Sequence, residues 1–522
     1  MKLFIYDTTL RDGAQTEGIS FSLDDKLKIV RKLDEFGVNY IECGWPGSNP
    51  KDMEFFIEVK KLKLKHAKIV AFGSTRYKNI KIEHDKNLKS MIEAKPDAIT
   101  IFGKSWDLHV KDALETTLEE NLSMIFDSIK FLKENNFEVI YDAEHFFDGY
   151  KNNIEYALKT IEIAEKAGAN IITLCDTNGN TLPMELTSIL RKVKDTIKIP
   201  FGIHFHNDSG VADANSIIAI NEGAKLVQGT INGYGERCGN ADIITIIANA
   251  ILKIGCETTI KIEKLREISY FVSEIVNKVP QDNHPYTGIS AFAHKAGVHV
   301  SAIVKNPKTY EHVNPVLVGN ERRIIVSELS GKSNIFAKIK ELNLDINLID
   351  SEKLQKIVDI IKSKENSGYH FEGADASFEL ILRKEFMNYK PFFELEGFKI
   401  IIDKDEKGFT KSEATVRINV KGNQEKAIAI GDGPVNALDK AIRKASEKFY
   451  SVLKNVSLVD FKVRVIDSGG GTDSKVRVLI ESRDEKNEWT TIGVSENILE
   501  ASWQALLDSI EYKLIKSEII NN

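Results

Sequence analysis

The 522-residue chain has 71 basic and 77 acidic residues, and its formal net charge of −6 excludes a general attraction to nucleic acid or to an anionic membrane surface. Its 42% hydrophobic and 28% charged residues indicate a globular protein, and its 11 prolines and 33 glycines are too few for a disordered chain. Acidic residues interrupt the N-terminus where a signal peptide needs an apolar stretch, and the longest apolar runs are too short for a membrane span, so we expect a cytoplasmic protein of about two to four domains.

Short apolar segments recur eight times within the first 255 residues. They are "LFIYD" from 3, "YIECGW" from 40, "KIVAFG" from 68, "AITIFG" from 98, "EVIYDAE" from 138, "IITLCDT" from 171, "FGIHFH" from 201 and "LVQGTING" from 226. The segments between them space apolar residues as helices do, and "NIEYALKTIEIAEKAG" ends in a glycine suited to a helix C-cap. Eight alternating strands and helices predict a parallel (β/α)8 TIM barrel over residues 1–275.

Polar and glycine-rich segments follow the predicted strands. Examples are "TTLRDG" after the first strand, "DAEH" and "DTNG" after the fifth and sixth, and "NGYGERCGN" after the eighth. The loops at the C-terminal ends of barrel strands converge on one face, where such barrels carry their active sites. We therefore expect Arg11 and Asp12 to face the ends of strands five to eight.

The segment "HFH" places His204 and His206 two residues apart on a strand, so both imidazoles point to the same face. By itself the pair fits a metal site and a hydrogen-bonded core equally well. Closure of the barrel would bring Asp12 and Asn240 beside it and complete a set of two nitrogen and two oxygen ligands. Such ligation suits Mg²⁺ or Mn²⁺ better than structural Zn²⁺, although Zn²⁺ stays an alternative.

Five segments taken in chain order resemble one enzyme family. They are "DTTLRDGAQ", "DAEHFFD", "CDTNG", "HFHND" and "NGYGERCGN", and the family is the Claisen-condensing acyltransferases that include isopropylmalate, homocitrate and citramalate synthases. The resemblance covers essentially the whole chain, and Ala14 together with "GWPGSNPKD" resembles the citramalate-forming branch. It implies that acetyl-CoA and pyruvate condense to citramalate and free CoA, a step toward isoleucine.

The resemblance also implies the roles of individual residues. Asp12, His204, His206 and Asn240 would bind the divalent metal ion. Arg11 would stabilise the keto oxygen as it becomes an alkoxide, as a fixed cation beside a metal ligand can do.

The remaining barrel residues would handle substrates and protons. The resemblance implies that Gln15 and Thr177 bind substrate, Thr177 through the carboxylate of the 2-oxo acid. Glu144 would take part in proton transfer, and a salt bridge to a neighbouring strand end is the alternative for this residue.

Residues 276–388 are expected to form small linker subdomains that cover the active site. They contain "AFAHKAGVHVSAIVKNPKTYEHVNP", with His294, His299 and Tyr310. On composition alone such histidines are more often exposed than catalytic. The resemblance implies that His299 and Tyr310 act in acid/base chemistry and that the partner subunit of a homodimer delivers them.

Residues 389–522 contain an internal repeat, "AIAIGDGPVNALDKAI" and "WTTIGVSENILEASWQAL". We predict an α+β domain of two duplicated units, which resembles the regulatory domain of the same synthases and implies an amino-acid effector, isoleucine. The effector loops would include Gly433, Pro434, Val435, Gly470, Thr472 and Asp473. A flexible turn or a phosphate cradle is the alternative for "SGGG", which lacks the lysine of a P-loop.

Three rival functions stay open at this point. The substrate could be a larger 2-oxo acid, which would give isopropylmalate or homocitrate. A barrel metallohydrolase is disfavoured because those enzymes tend to carry their HxH on the first strand. An amino-acid sensor with a vestigial barrel is disfavoured by the retained polar set at the strand ends.

Overall fold

The structure, a computed structural model, describes residues 1–326, 332–342, 351–386, 389–404, 406–466 and 474–521. The chain divides into two compact units. The first comprises residues 1–292 and 313–321, and the second comprises residues 293–312 and 322–522, so the chain passes between the units three times. Over the described part of the chain, we find no helix that is both long and apolar enough to cross a membrane.

The first unit is built on a closed barrel of eight parallel strands. The strands are β1 (Phe4–Asp7), β2 (Tyr40–Glu42), β3 (Lys68–Ser74), β4 (Ala98–Lys104), β5 (Glu138–Glu144), β6 (Ile171–Asp176), β7 (Phe201–Phe205) and β8 (Leu226–Gly229). Each pairs with the next in parallel, and β8 closes the barrel against β1 with Leu226 opposite Phe4. The predicted TIM barrel is confirmed.

Helices surround this barrel. They are α1 (Leu23–Phe36), α2 (Pro50–Val59), α3 (Lys86–Ala94), α4 (Asp107–Asp112), α5 (Leu118–Glu134), α6 (Phe146–Asn152), α7 (Ile154–Ala167), α8 (Pro183–Thr196), α9 (Ala212–Asn221), α10 (Ile243–Asn249) and α11 (Leu265–Ile275). Their ends follow local chemistry, as α7 illustrates. Asn153 caps its first turn by accepting from the Tyr156 amide, and Gly168 ends it with a φ of 100°, a conformation that favours glycine.

The barrel interior has two kinds of layer. One layer is apolar and is drawn from residues near the starts of the strands: Tyr6, Tyr40, Val70, Ala98, Ile140, Ile171 and Leu226. Buried polar side chains form the next layer: Glu42, Thr100, Asp142, Thr173, His204 and Gln228. Buried polar groups are stable only when they are paired, so this second layer marks the part of the barrel that carries specific chemistry.

The second unit begins with a two-stranded parallel sheet and helices. The strands are β9 (Ala293–His294) and β10 (Arg323–Ile324), and the helices are α12 (Gly297–Lys305), α13 (Lys332–Glu341), α14 (Ser351–Asn366) and α15 (Asp375–Phe386). A cluster of buried apolar side chains joins α13, α14 and α15 to Ile492 of the C-terminal region: Ile335, Ile339, Ile357, Val358, Ile361, Phe371, Phe378 and Leu382.

The C-terminal region shows the predicted duplication. The first repeat comprises β11 (Glu394–Lys404), β12 (Thr410–Val420), β13 (Asn423–Gly431) and α16 (Pro434–Ser446), and the second comprises β14 (Ser457–Val465), β15 (Val476–Arg483), β16 (Glu488–Ser495) and α17 (Ile498–Asn521). Each repeat is an antiparallel three-stranded sheet followed by a helix. The predicted α+β fold with an internal duplication is confirmed.

Candidate active site

A cavity of about 250 Å³ opens at the C-terminal ends of the barrel strands. Its walls are formed by Arg11, Asp12, Gln15, Trp45, Phe72, Phe102, Asp142, Glu144, Cys175, Thr177, His204, His206 and Glu236. The loops after β1, β5, β6 and β7 therefore bring residues that are distant in sequence to one place. The proposed substrate residues Arg11, Gln15 and Thr177 face the same cavity as three of the proposed metal ligands, Asp12, His204 and His206, whereas Asn240 is not part of its walls.

Asp12, His204 and His206 form the candidate metal centre. Their potential ligand atoms all lie within 4.8 Å of one another, and all three residues are buried. His204 Nε2 lies 3.4 Å from Asp12 Oδ2. Asp12 follows β1, His204 lies on β7 and His206 directly follows β7, so barrel closure assembles the cluster.

Asn240 contacts Asp12 of this cluster through its amide nitrogen, whereas its amide oxygen has no hydrogen-bond partner among the described residues. Its Nδ2 donates to Asp12 Oδ2 at 2.9 Å, which leaves Oδ1 pointing elsewhere. Asn240 Oδ1 and His206 Nδ1 are both buried without a hydrogen-bond partner. Buried polar atoms are rarely left unpaired, and Asp12, His204 and His206 beside them offer the carboxylate and imidazole ligands that divalent cations take. The residues present thus fit a divalent metal ion.

The protonation states also suit metal binding. Burial lowers the pKa of His204, and burial together with the nearby His204 lowers the pKa of His206 to about 4. Burial opposes ionisation of Asp12, but Arg11 and the two imidazoles hold its pKa below the ordinary value. At neutral pH the cluster therefore offers two neutral imidazoles and one carboxylate, the forms that coordinate divalent cations.

Arg11 is fixed on two sides by carboxylates. Its Nη1 donates to Asp12 Oδ1 at 2.6 Å, and its Nε donates to Glu42, a fully buried residue at the end of β2. The Arg11 Cζ atom also lies 3.8 Å from the centroid of the Phe72 ring. Burial disfavours the charge, but Asp12 and Glu42 raise the pKa of Arg11, so a permanent cation is held at the cavity wall.

Glu144 ends β5 and forms an ion pair with Lys104, which ends the neighbouring strand β4. The carboxylate is partly exposed to the cavity, with 22% of the side chain accessible. The salt bridge considered from the sequence is therefore present. Because the carboxylate also lines the cavity, a role in proton transfer stays a prediction.

Thr177 and Gln15 lie on loops at the cavity mouth. Thr177 Oγ1 accepts a hydrogen bond of 3.0 Å from the backbone amide of His145. Because that oxygen accepts from His145, the Thr177 hydroxyl hydrogen can be donated to another acceptor. Gln15 is exposed and ends the short 3₁₀ turn Gly13–Gln15 that follows β1.

Several residues of the site were not singled out from the sequence. Trp45, Phe72 and Phe102 form an aromatic wall, with Phe72 and Phe102 stacked at a centroid separation of 5.3 Å and Trp45 edge-on to both rings. Asp142 lines the cavity two residues before Glu144 on β5. Asp142 could have been found from the sequence, because side chains two residues apart on a strand point to the same face and Glu144 had been singled out.

His299 and Tyr310 belong to the second unit. His299 lies on α12, Tyr310 follows the turn Pro307–Thr309, and their ring centroids are 4.2 Å apart. Glu311 fixes the segment after Tyr310, since it accepts from Arg322 Nη2 at 2.6 Å and lies 3.2 Å from His294 Nε2. The structure therefore brings the two predicted acid/base residues together. Their action on substrate stays a prediction.

The proposed effector loops are described only in part. Gly433 is the N-cap residue of α16, and Pro434 and Val435 begin that helix. Gly470, Thr472 and Asp473 lie outside the described residues. Assignment of these loops to an effector stays a prediction.

Family models match three consecutive parts of the chain. The model described as HMGL-like matches residues 2–272, which carry the barrel and the candidate metal centre. Residues 286–368 match the model "Homocitrate synthase post-HMGL domain-like", and residues 372–514 match "LeuA allosteric (dimerisation) domain". The chain belongs to the HMGL-like family, in its isopropylmalate and homocitrate synthase branch.

Curated members of the HMGL-like family align over nearly the full length. The (R)-citramalate synthase of Geobacter sulfurreducens is 56% identical over 521 residues, which cover 99% of this chain and 98% of the relative. The (R)-citramalate synthase of Aquifex aeolicus is 54% identical with the same coverage. The 2-isopropylmalate synthase of Methanocaldococcus jannaschii is 33% identical, and the alignment covers 99% of this chain and 96% of the relative.

Proposed function

We propose that the protein condenses acetyl-CoA with pyruvate to give (R)-citramalate and free CoA. The full-length similarity to proteins named (R)-citramalate synthase, well above the similarity to a 2-isopropylmalate synthase, supports the choice of 2-oxo acid. The observation that carries the chemistry is the cavity of about 250 Å³ that gathers a metal-ligand set, a fixed guanidinium and the Thr177 hydroxyl.

The metal of this reaction is proposed to be Mg²⁺ or Mn²⁺. Asp12 and Asn240 offer oxygen atoms, His204 and His206 offer imidazole nitrogen, and the cluster contains no thiolate. A bound divalent ion supplies Lewis acidity toward the keto oxygen of the 2-oxo acid.

Arg11 is proposed to stabilise negative charge that develops on the keto oxygen of pyruvate. Because Asp12 and Glu42 hold its guanidinium before substrate arrives, little reorganisation is needed during the reaction. Thr177 is proposed to donate its hydroxyl hydrogen to the substrate carboxylate, while the His145 amide fixes its oxygen. Gln15 is proposed to contact substrate at the cavity mouth.

The proton transfers are proposed to involve His299, Glu144 and Tyr310. A base, His299 assisted by Glu144, removes a proton from the acetyl methyl group of acetyl-CoA. The resulting enolate carbon attacks C2 of pyruvate, the alkoxide takes up a proton, and water then hydrolyses the thioester to release CoA. The 4.2 Å separation of the His299 and Tyr310 rings supports joint action of these two residues.

Selection of pyruvate is proposed to depend on the aromatic wall of Trp45, Phe72 and Phe102. These rings pack against one another and limit the space beside Arg11. A methyl group fits a small space better than a branched side chain, and one methylene changes discrimination by about 1–3 kcal/mol.

The C-terminal region is proposed to bind isoleucine as an effector and to support a homodimer. The match to a model described as an allosteric and dimerisation domain supports both roles. We also propose that the functional boundaries lie near residues 275 and 388.

The test is to supply the purified protein and Mg²⁺ or Mn²⁺ with acetyl-CoA and each of pyruvate, 2-oxoisovalerate and 2-oxoglutarate, and to follow thiol release. We expect release with pyruvate to exceed release with the two larger acids. Chiral chromatography should then identify the product as (R)-citramalate. Faster release with 2-oxoisovalerate or 2-oxoglutarate would contradict the proposal and indicate a different synthase.

A further inference from the structure

Gln228 connects the candidate metal centre to the polar layer inside the barrel. It is fully buried on β8, and the strand register places it opposite His204 of β7. Its Oε1 lies 3.0 Å from His204 Nδ1. Its Nε2 lies 3.0 Å from Asp142 Oδ1 and 3.2 Å from Thr173 Oγ1.

The surroundings of the Gln228 amide determine its orientation. Two oxygen atoms, from Asp142 and Thr173, lie within hydrogen-bond distance of one end of the amide, and the structure places there the NH₂ group, whose two hydrogens can be donated to both. The other end, which faces His204 Nδ1, is then the oxygen and can only accept. A hydrogen bond between Gln228 and His204 therefore requires a proton on Nδ1.

The position of that proton decides what the opposite nitrogen of His204 can do. A neutral imidazole has one protonated and one unprotonated nitrogen, and only the unprotonated one can coordinate a metal ion. Since Nδ1 carries the proton, Nε2 keeps its lone pair. His204 Nε2 is also the nitrogen that faces the cluster, 3.4 Å from Asp12 Oδ2.

We propose that Gln228 is a positioning residue that selects the Nδ1-protonated tautomer of His204 and thereby presents Nε2 to the metal ion. Asp142 acts one step further away, since its contact with Nε2 at 3.0 Å holds the NH₂ end and opposes rotation of the amide by 180°, and the longer contact with Thr173 is not required for this. An amide with the opposite orientation would donate to Nδ1 and leave the proton on Nε2, where it blocks coordination. Residues that orient metal-bound histidines typically contribute about 10- to 100-fold to metal affinity.

The first test measures metal binding without substrates, so it does not depend on which 2-oxo acid the enzyme uses. Gln228→Met keeps the length of the side chain but removes both polar groups. We expect calorimetry with Mn²⁺ to show about 10- to 100-fold weaker binding than in the wild-type protein. The matched control is Thr173→Val, which removes one acceptor from the Gln228 NH₂ group but leaves its contact with His204, and it should bind Mn²⁺ nearly as the wild type does. Wild-type affinity in Gln228→Met would overturn the proposal.

The second test observes the tautomer directly in the wild-type protein. With ¹⁵N-labelled histidine, the metal-free protein gives ring-nitrogen signals from its 11 histidines, and those of His204 are identified by their loss in His204→Asn. We expect a protonated Nδ1 and an unprotonated Nε2. A proton on Nε2 would overturn the assignment, and this result would stand even if Gln228→Met failed to fold.

Discussion

Phe72 and Phe102 lie side by side in the candidate active site but make different contacts. Phe72 and Phe102 stack on each other in the aromatic wall, but only Phe72 has the Arg11 guanidinium over its ring, at 3.8 Å. A cation over an aromatic face is attracted by the ring and is held in place. Phe102 has Lys104 Nζ over its ring at the longer distance of 5.4 Å and makes no such contact with Arg11, so we expect Phe102 to act mainly on the space for the substrate side chain, whereas Phe72 also supports the proposed catalytic cation Arg11.

We therefore expect Phe102→Val to change selectivity. The smaller residue should raise kcat/KM for 2-oxobutanoate relative to pyruvate by about 10-fold or more, since one methylene in a pocket corresponds to about 1–3 kcal/mol. Steady-state kinetics with both acids would measure the ratio. The comparison variant Phe72→Val should lower kcat/KM for both acids, because it also removes the ring under Arg11. An unchanged ratio in Phe102→Val would show that the wall does not select the substrate.

Asp7, the last residue of β1, makes stability depend on pH. It is fully buried, and within the part of the chain that the structure describes its oxygens accept from Thr9, at 3.1 Å from the amide and 2.8 Å from the hydroxyl. Burial raises the pKa of Asp7 to about 7, although these hydrogen bonds oppose the shift. The carboxyl ionises near pH 4 in an unfolded chain, so between about pH 4 and pH 7 the folded chain binds more protons. Its stability therefore falls as pH rises through that window.

Replacement of Asp7 by Asn should remove this dependence. The thermal midpoint of the wild type relative to Asp7→Asn should decrease between about pH 5 and pH 8, by an amount that corresponds to a loss of roughly 2–3 kcal/mol in the free energy of unfolding.

The control for this prediction is Asp34→Asn. Burial opposes ionisation of Asp34, but backbone amides of Ala67, Lys65 and His66 hold its pKa low, so its contribution is lost only below about pH 4. Its midpoint difference should stay constant over the same range. Parallel curves for wild type and Asp7→Asn would refute the prediction.

At the scale of helices and strands, α15 is joined closely to the second C-terminal repeat. Ser377 of α15 donates to Asp508 of α17 at 2.8 Å and accepts from the Ile492 amide of β16 at 3.0 Å. Glu379 of α15 is fully buried and accepts from Lys516 of α17 at 2.9 Å. Glu379 also accepts from Arg383 within α15, so loss of Lys516 would remove one of two cations that pair with this buried carboxylate, which is destabilising. The second repeat therefore stabilises the helices that precede it in sequence.

A chain shortened to end at residue 388 should consequently lose order in its linker helices. Such a chain lacks Ile492, which packs with Ile357, Ile361 and Phe378 of the helical cluster. We expect hydrogen–deuterium exchange of α14 peptides to become much faster than in the full chain. Peptides from α7 of the barrel serve as the control and should exchange as before, because their buried side chains belong to a separate core. Full protection of α14 in the shortened chain would show that the helices fold without the repeats.

The comparison of elements also shows what the sequence could predict. Eight buried-strand segments and the glycine after α7 predicted the barrel because these signals are local. The roles of Glu42 and Gln228 could not be predicted, since each is a single polar residue within an apolar strand, and for Asp142 the alternation of side chains gave only its face of β5. Their partners lie on other strands, Gln228 reaching both His204 and Asp142, and become known only when strand register and barrel closure are fixed. The pairing of Glu144 with Lys104 was predicted as an alternative, a salt bridge to a neighbouring strand end, without the identity of the partner.

At the scale of the whole molecule, the chain passes between its two units at residues 292–293, 312–313 and 321–322. The segment 293–312 carries His299 and Tyr310 and belongs to the second unit, while the short segment 313–321 belongs to the first unit, which contains the barrel. Because the two units alternate along the chain, the position of the junction decides whether a hybrid of two related synthases keeps each unit intact. A hybrid joined near residue 275 would exchange residues 313–321 together with the C-terminal half and so place a foreign segment in the native barrel. A hybrid joined near residue 322 would keep that segment but combine His299 and Tyr310 with a foreign remainder of the second unit. Functional hybrids should therefore need more than one junction.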